Sequence, residues 1–181
     1  MSDLATRILD IIENSVRAGA NVISVSFEED RDEDRLSLTI EDNAPGVKIS
    51  GEMIDDYFRS NRVGKRMKLG LSLLRNEARQ AGGYMTVERS DLGGTKVKAT
   101  MEIGHIDRCP VGDLAASLAS VVCENPLLDI WLMFRVGQNE YRMRVEEIVA
   151  ELKKSGFSGL TVARKVHEQV KQALESLQIT A

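Results

Sequence analysis

Cysteine, histidine and long apolar runs are scarce in this chain, and each scarcity removes a class of function. The 181 residues include two cysteines, Cys109 and Cys123. A disulfide framework or a thiolate zinc site needs more of them at tighter spacing, so both read as reduced thiols. The two histidines, His105 and His167, read as surface residues, and His105-x-x-x-Cys109 is too sparse for half of a metal site. No run of about eighteen apolar residues occurs, so no membrane span is expected. The N-terminal Met-Ser-Asp-Leu-Ala lacks a basic region followed by an apolar segment, so no signal peptide is expected and a cytoplasmic location follows by default. The formal net charge of −4 argues against a global nucleic-acid-binding surface. What is present, 43% hydrophobic and 29% charged residues, is the composition of a soluble globular protein. The length allows one good core, or a core with a small appendage.

Apolar residues at Leu4, Ile8, Ile11, Ile12 and Val16 recur with a helical period, from a cap at Ser2 or Asp3 to a stop at Gly19. Alternation over Val22–Phe27 and again over Leu36–Ile40 predicts two strands. The charged run between them, residues 28–35, is expected to be a solvated hairpin connection. Residues 43–51 hold Pro45, Gly46 and Gly51 and read as loop. A short helix is expected over 52–58, then a basic loop over 59–68 with Arg59, Arg62, Lys65, Arg66 and Lys68. Helical period returns over 69–81. Two strands, Tyr84–Glu88 and Lys96–Ile103, flank a turn through Asp91 and Gly93-Gly94. After Gly104 the composition shifts. Helices over 112–124, 145–154 and 160–177 surround a hairpin of Ile130–Val136 and Tyr141–Val145. The reading is therefore α+β, with a first domain over residues 1–104 and a small C-terminal helix-hairpin-helix module over 105–181. The strand Ile130-Trp131-Leu132-Met133-Phe134 is expected to pack on the first domain or to form a pairing edge for a partner.

The chemistry-bearing residues come in order. Asp10 and Asn14 are four apart, so a helix puts a carboxylate and a neutral amide oxygen on one face. Asp42-Asn43-Ala44-Pro45-Gly46-Val47 follows a strand, Lys68-Leu69-Gly70-Leu71 opens a helical pattern, and Gly93-Gly94-Thr95 precedes a strand.

This ordered set resembles the Bergerat-fold (GHKL) ATP-binding domain of DNA gyrase B, heat-shock chaperones of the ninety-kilodalton class, sensor histidine kinases and MutL. The resemblance covers residues 1 to about 103 and implies a two-layer α/β sandwich. The Asn14 motif with Ala18-Gly19-Ala20 is similar to MutL, and Asp56–Gly83 looks more like the lid and glycine box of histidine kinases. The resemblance implies ATP and Mg²⁺ as cofactors. Asn14 would ligate the magnesium, for which an amide oxygen is a suitable hard ligand. Asp42 would accept from the adenine amino group, as an acceptor-only carboxylate can. Gly46 and Val47 would lie against the base, with Gly46 letting the backbone approach. Lys68, Leu69, Gly70 and Leu71 would present helix N-terminal amides to the phosphates, and Thr95 would add a polar contact near the base.

Three positions depart from the pattern. Asp10 stands where the family usually has a glutamate general base, and its carboxylate reaches roughly 1 Å less, enough to cost about 10²-fold in rate. Ala44 and Lys68 stand where two glycines are usual, and Lys68 with Lys65 and Arg66 could place ammonium and guanidinium groups on the phosphates. Neither histidine sits on a dimerising helix suited to accept phosphate. The resulting expectation is an ATP- and Mg²⁺-binding regulatory protein with slow or no hydrolysis, whose nucleotide-ordered lid signals to a protein partner. The alternatives are an anti-sigma-factor-type serine kinase, an ATPase with Asp10 as catalytic base, and a nucleotide-free structural subunit. The partner is expected to be a protein rather than nucleic acid or membrane, and the C-terminal module has the size of a docking or homodimerising element.

Overall fold

The computed structural model describes residues 3–45, 65–153 and 156–179. The short helix expected over 52–58, most of the basic loop, and Gly46 and Val47 lie outside the described residues.

Helix α1 spans Leu4–Arg17. Asp3 caps it by accepting from the Thr6 amide at 2.7 Å, and Gly19, at φ +94°, turns the chain out of it. The stripe Leu4, Ile8, Ile11, Ile12 is buried, as the period requires. Strands β1 (Val22–Asp30) and β2 (Arg35–Asp42) pair antiparallel. The hairpin is longer than the charge pattern predicts, because Glu28, Glu29, Asp30 and Arg35 belong to the strands rather than to the connection. Glu29 follows Ile23, Val25 and Phe27 onto the buried side and is only 2% exposed. Its carboxylate accepts from Arg31 Nε and Nη2 at 3.3 Å, and Arg31 reaches on to the Gln178 carbonyl. Ladder hydrogen bonds and a local cation thus outweigh the tendency of a charged run to stay in water.

Helix α2 spans Lys65–Gln80, one turn longer toward the N-terminus than expected. Lys, Arg, Met and Leu are all good helix formers, so a segment without apolar period still propagates a helix from the buried stretch Leu71, Leu74 and Ala78. Strands β3 (Met85–Arg89) and β4 (Thr95–Glu102) form the second hairpin. Gly83 is needed where α2 hands over to β3, since a Cβ there would lie 1.8 Å from the Thr100 carbonyl oxygen.

The C-terminal segment contributes α3 (Leu114–Glu124), β5 (Asp129–Val136), β6 (Asn139–Arg144), α4 (Val145–Leu152) and α5 (Gly159–Leu177). Ser158 and Thr161 form a reciprocal capping box at the start of α5. The six strands form one sheet in the order β3-β4-β2-β1-β5-β6, with β5 parallel to β1 and β6 antiparallel to β5. The apolar strand β5 is therefore interior, paired on both sides, and the pairing edge of this half of the molecule is β6. Ile130, Leu132 and Phe134 join Ile23, Val25 and Phe27 in one core between the sheet and its helices. The fold is a two-layer α/β sandwich. The other sheet face, carrying Ser24, Ser26, Trp131 and Met133, is only half-buried. No helix among the described residues is long and apolar enough to cross a membrane.

Candidate functional site

Asp42 ends β2 on the buried side of the sheet, where its alternation with Leu38 and Ile40 aims it beneath the helices; it is 4% exposed. The carboxylate accepts from the Ser15 hydroxyl at 2.6 Å, from the Ala44 amide at 3.0 Å and from the Thr95 amide at 3.1 Å. The Gly94 amide donates to the Asp42 carbonyl at 3.1 Å. A Cβ on Gly94 would fall 2.1 Å from Asp42 Oδ1, so the β3–β4 turn lies over this carboxylate because it carries glycine there. No ion pair to Asp42 occurs among the described residues. A buried carboxylate so placed is held by donors alone, and its two oxygens have lone-pair capacity left for a further donor.

Short polar residues brace this point. Asn43 Oδ1 accepts from the Asn21 and Val22 amides, both at 3.0 Å, which pins the loop after β2 to the start of β1. Ala44 and Thr95 are 1% and 2% exposed. Ser15, 1% exposed, was not singled out from the sequence. The signal was available: Ser15 continues the buried stripe Leu4–Ile8–Ile11, and a hydroxyl at a core position must find a partner.

On α1, Asn14 is 8% exposed and its Oδ1 accepts from Arg17 at 3.2 Å, leaving the oxygen's second lone pair. Asp10, one turn earlier, has a side chain 31% exposed and sits 3.5 Å from Arg7 Nη1. Gly70 of α2 faces it closely enough that a Cβ would lie 3.5 Å from Asp10 Cβ. Arg7 was also missed. It is 8% exposed and donates from Nε and Nη2 to Glu77 at 3.1–3.2 Å, tying α1 to α2. Burial works against the charge on Arg7, but the Glu77 hydrogen bonds and charge outweigh it and hold its pKa above the usual value.

The second glycine-box segment differs from expectation. Lys68, Leu69, Gly70 and Leu71 do not precede the helix; they lie within α2, where amides beyond the first turn are taken up by the helix itself. Leu69 is 60% exposed, whereas Leu71 is 1% exposed and belongs to the core.

Residues 2–105 match the family described as "Histidine kinase-, DNA gyrase B-, and HSP90-like ATPase". The chain belongs to this family. No curated protein sequence matches it. Histidine kinase-like ATPase domains bind ATP, generally with Mg²⁺, and the chain is an ATP-binding protein of this GHKL type. The residues fit those ligands. Asp42 is an acceptor suited to an exocyclic amine. Among the described residues no group of three or more His, Cys, Asp or Glu side chains could hold a metal by itself, and an ion taken mainly through phosphate oxygens and water needs only one amide ligand such as Asn14.

Proposed function

We propose that this GHKL protein is a regulatory ATP-binding protein rather than a fast ATPase. The observation that carries the reading is the Asp42 cluster. A buried, donor-braced carboxylate that pairs with no cation among the described residues is suited to reading the adenine amino group, and Thr95 and Ala44 are packed beside it. Asn14 would hold Mg²⁺ against the phosphates. Asp10, in the position of the general base, is shorter than glutamate and shares its charge with Arg7, which suits slow or absent hydrolysis. The nucleotide would then change the surface that the basic segment 59–68 offers to a protein partner, a switch of the ligand-ordered kind.

Isothermal titration with ATP in millimolar Mg²⁺ tests this reading. Saturable binding by the wild type, lost in Asp42→Asn, is expected, with turnover at or near background. Absence of binding to either ATP or ADP would sink it. Slower tryptic cleavage between Arg59 and Lys68 in the presence of ATP would support the partner-facing part, and unchanged cleavage would remove it. Radiolabelled phosphate transferred from ATP to a partner serine would favour the anti-sigma-factor-type kinase instead.

A further inference from the structure

The open face of the sheet carries a row of charges that alternates in sign and stops at an edge. Glu28 of β1 lies opposite Arg135 of β5, and Arg135 lies opposite Glu140 of β6. The charges are engaged: Arg135 pairs with Glu28 and its Nη1 lies 4.0 Å from Glu140. The row runs acid, base, acid, and β6 is the last strand. Among the described residues, no other segment donates to or accepts from the outward backbone groups of β6. Arg142, on the same face and 73% exposed in its side chain, bends back to Glu140 of its own strand. Tyr141 and Met143 alternate onto the buried side, opposite Phe134 and Leu132.

An exposed edge strand is a template for another strand, and charges on it decide which strand is admitted. Consider a second copy pairing antiparallel through its own β6 about a two-fold axis, the symmetry of most dimers. Residues facing each other must share a sheet face, so the axis passes through a residue position. With the axis at Glu140, that acid faces itself. At Arg142, guanidinium faces guanidinium between two Glu140–Arg144 pairs. At Met143, Arg142 faces Arg144. Only with the axis at Tyr141 do unlike charges meet with no like pair opposed within the strand: Glu140 faces the second copy's Arg142, and Arg142 faces its Glu140. Like charges directly opposite are destabilising and unlike charges favourable. In that register the acid-base-acid row gains the base it lacks, and Tyr141 meets its counterpart on the core side.

We propose that β6 is a homodimer edge, pairing antiparallel with the β6 of a second copy about Tyr141 to join two six-stranded sheets. The occupant is a second copy because the strand opposes only unlike charges to itself in one register, whereas each neighbouring register sets a like-charged pair on the axis. This inference stands independently of the ATP-binding reading.

The test is the mass in solution of the full chain, by light scattering coupled to size exclusion across a micromolar concentration series. The wild type is expected at twice the 20.1 kDa chain mass. Glu140→Arg and Arg142→Glu each place two like-charge pairs across the axis and should weaken dimerisation by roughly tenfold or more. The double exchange Glu140→Arg with Arg142→Glu restores the unlike pairs and should restore the dimer. Both positions are on the solvent face, and far-ultraviolet circular dichroism checks that each variant is folded. A second readout is hydrogen exchange, in which β6 amides should slow with rising protein concentration. A monomeric wild type, a species larger than a dimer, or a dimer indifferent to the single reversals would overturn the proposal.

Discussion

At Asp42 the carboxylate is surrounded by a hydroxyl and two amides, all from short residues and all buried. At Asp10 the carboxylate meets a guanidinium, is about a third exposed, and faces a glycine on a neighbouring helix. The first arrangement is made mostly by backbone that the sheet holds in place, and it changes only if the sheet changes. The second depends on how α1 and α2 sit against each other, which the Arg7–Glu77 pair sets. A region built from backbone donors is suited to recognition of a fixed shape. A region held by side-chain ion pairs between two helices can readjust, as a site that answers to the state of a nucleotide must.

The largest effect is expected where that second region is unlocked. Glu77→Leu leaves Arg7 charged and mostly buried without its main partner, and breaking such a pair costs about 3 kcal/mol. Urea unfolding should show the midpoint falling with the slope unchanged. If the stability is unaltered, the pair does not hold α1 to α2, and the contrast between the two regions collapses.

Asp42→Asn should weaken ATP binding about 100-fold, as loss of a charge-assisted acceptor and introduction of a misplaced donor would. Calorimetry with ATP and GTP measures it. The variant should lose preference for adenine as well as affinity, and a uniform loss for both nucleotides would mean that Asp42 supports the fold without reading the base. Ser15→Ala removes one of the three donors and should cost about 1 kcal/mol of stability, with a smaller loss of affinity.

The helices and strands were largely legible because burial follows period in this chain: Leu4–Ile8–Ile11, the alternation of β1, and the β5–β6 hairpin all face as their patterns predict. Two features were not. Glu29 and the start of α2 carry charge where the structure has regular backbone, and charge alone reports solvation preference, not hydrogen-bond pairing. The continuity of β5 with β1 was illegible for another reason. Pairing across more than a hundred residues is set by which edge is left open, and local spacing holds no record of that. Of the site, Asp42 and Thr95 were visible as motif members that the fold brings together. Ser15 and Arg7 escaped because they look like ordinary helix residues until their partners are known.

A weaker pH effect comes from Cys109, beside the Arg7–Glu77 pair. Burial, with the nearby Glu77 charge, pushes its thiol from 9.0 up to about 11. The unfolded chain therefore releases this proton at lower pH than the folded protein does. Its contribution to stability is complete below about pH 9 and should decline as pH rises from there through about 11. Cys109→Ser should flatten that part of the profile. A thiol reagent at neutral pH should modify the exposed Cys123 well before Cys109.

The smallest effect is the most informative for catalysis. Asp10→Ala removes a partly exposed carboxylate whose pairing with Arg7 is long at 3.5 Å, and such pairs contribute about 0.5 kcal/mol or less. Stability and ATP affinity should therefore stay close to wild type. If the protein binds ATP with slow or no hydrolysis, turnover also stays at its low level, because no general base has been removed. If turnover instead falls to the buffer blank while affinity holds, Asp10 is working as the base despite its short reach. The region around α1 and α2 would then belong to catalysis, and the division between a recognising end and an adjustable end would have to be redrawn with Asp10 on the side of chemistry.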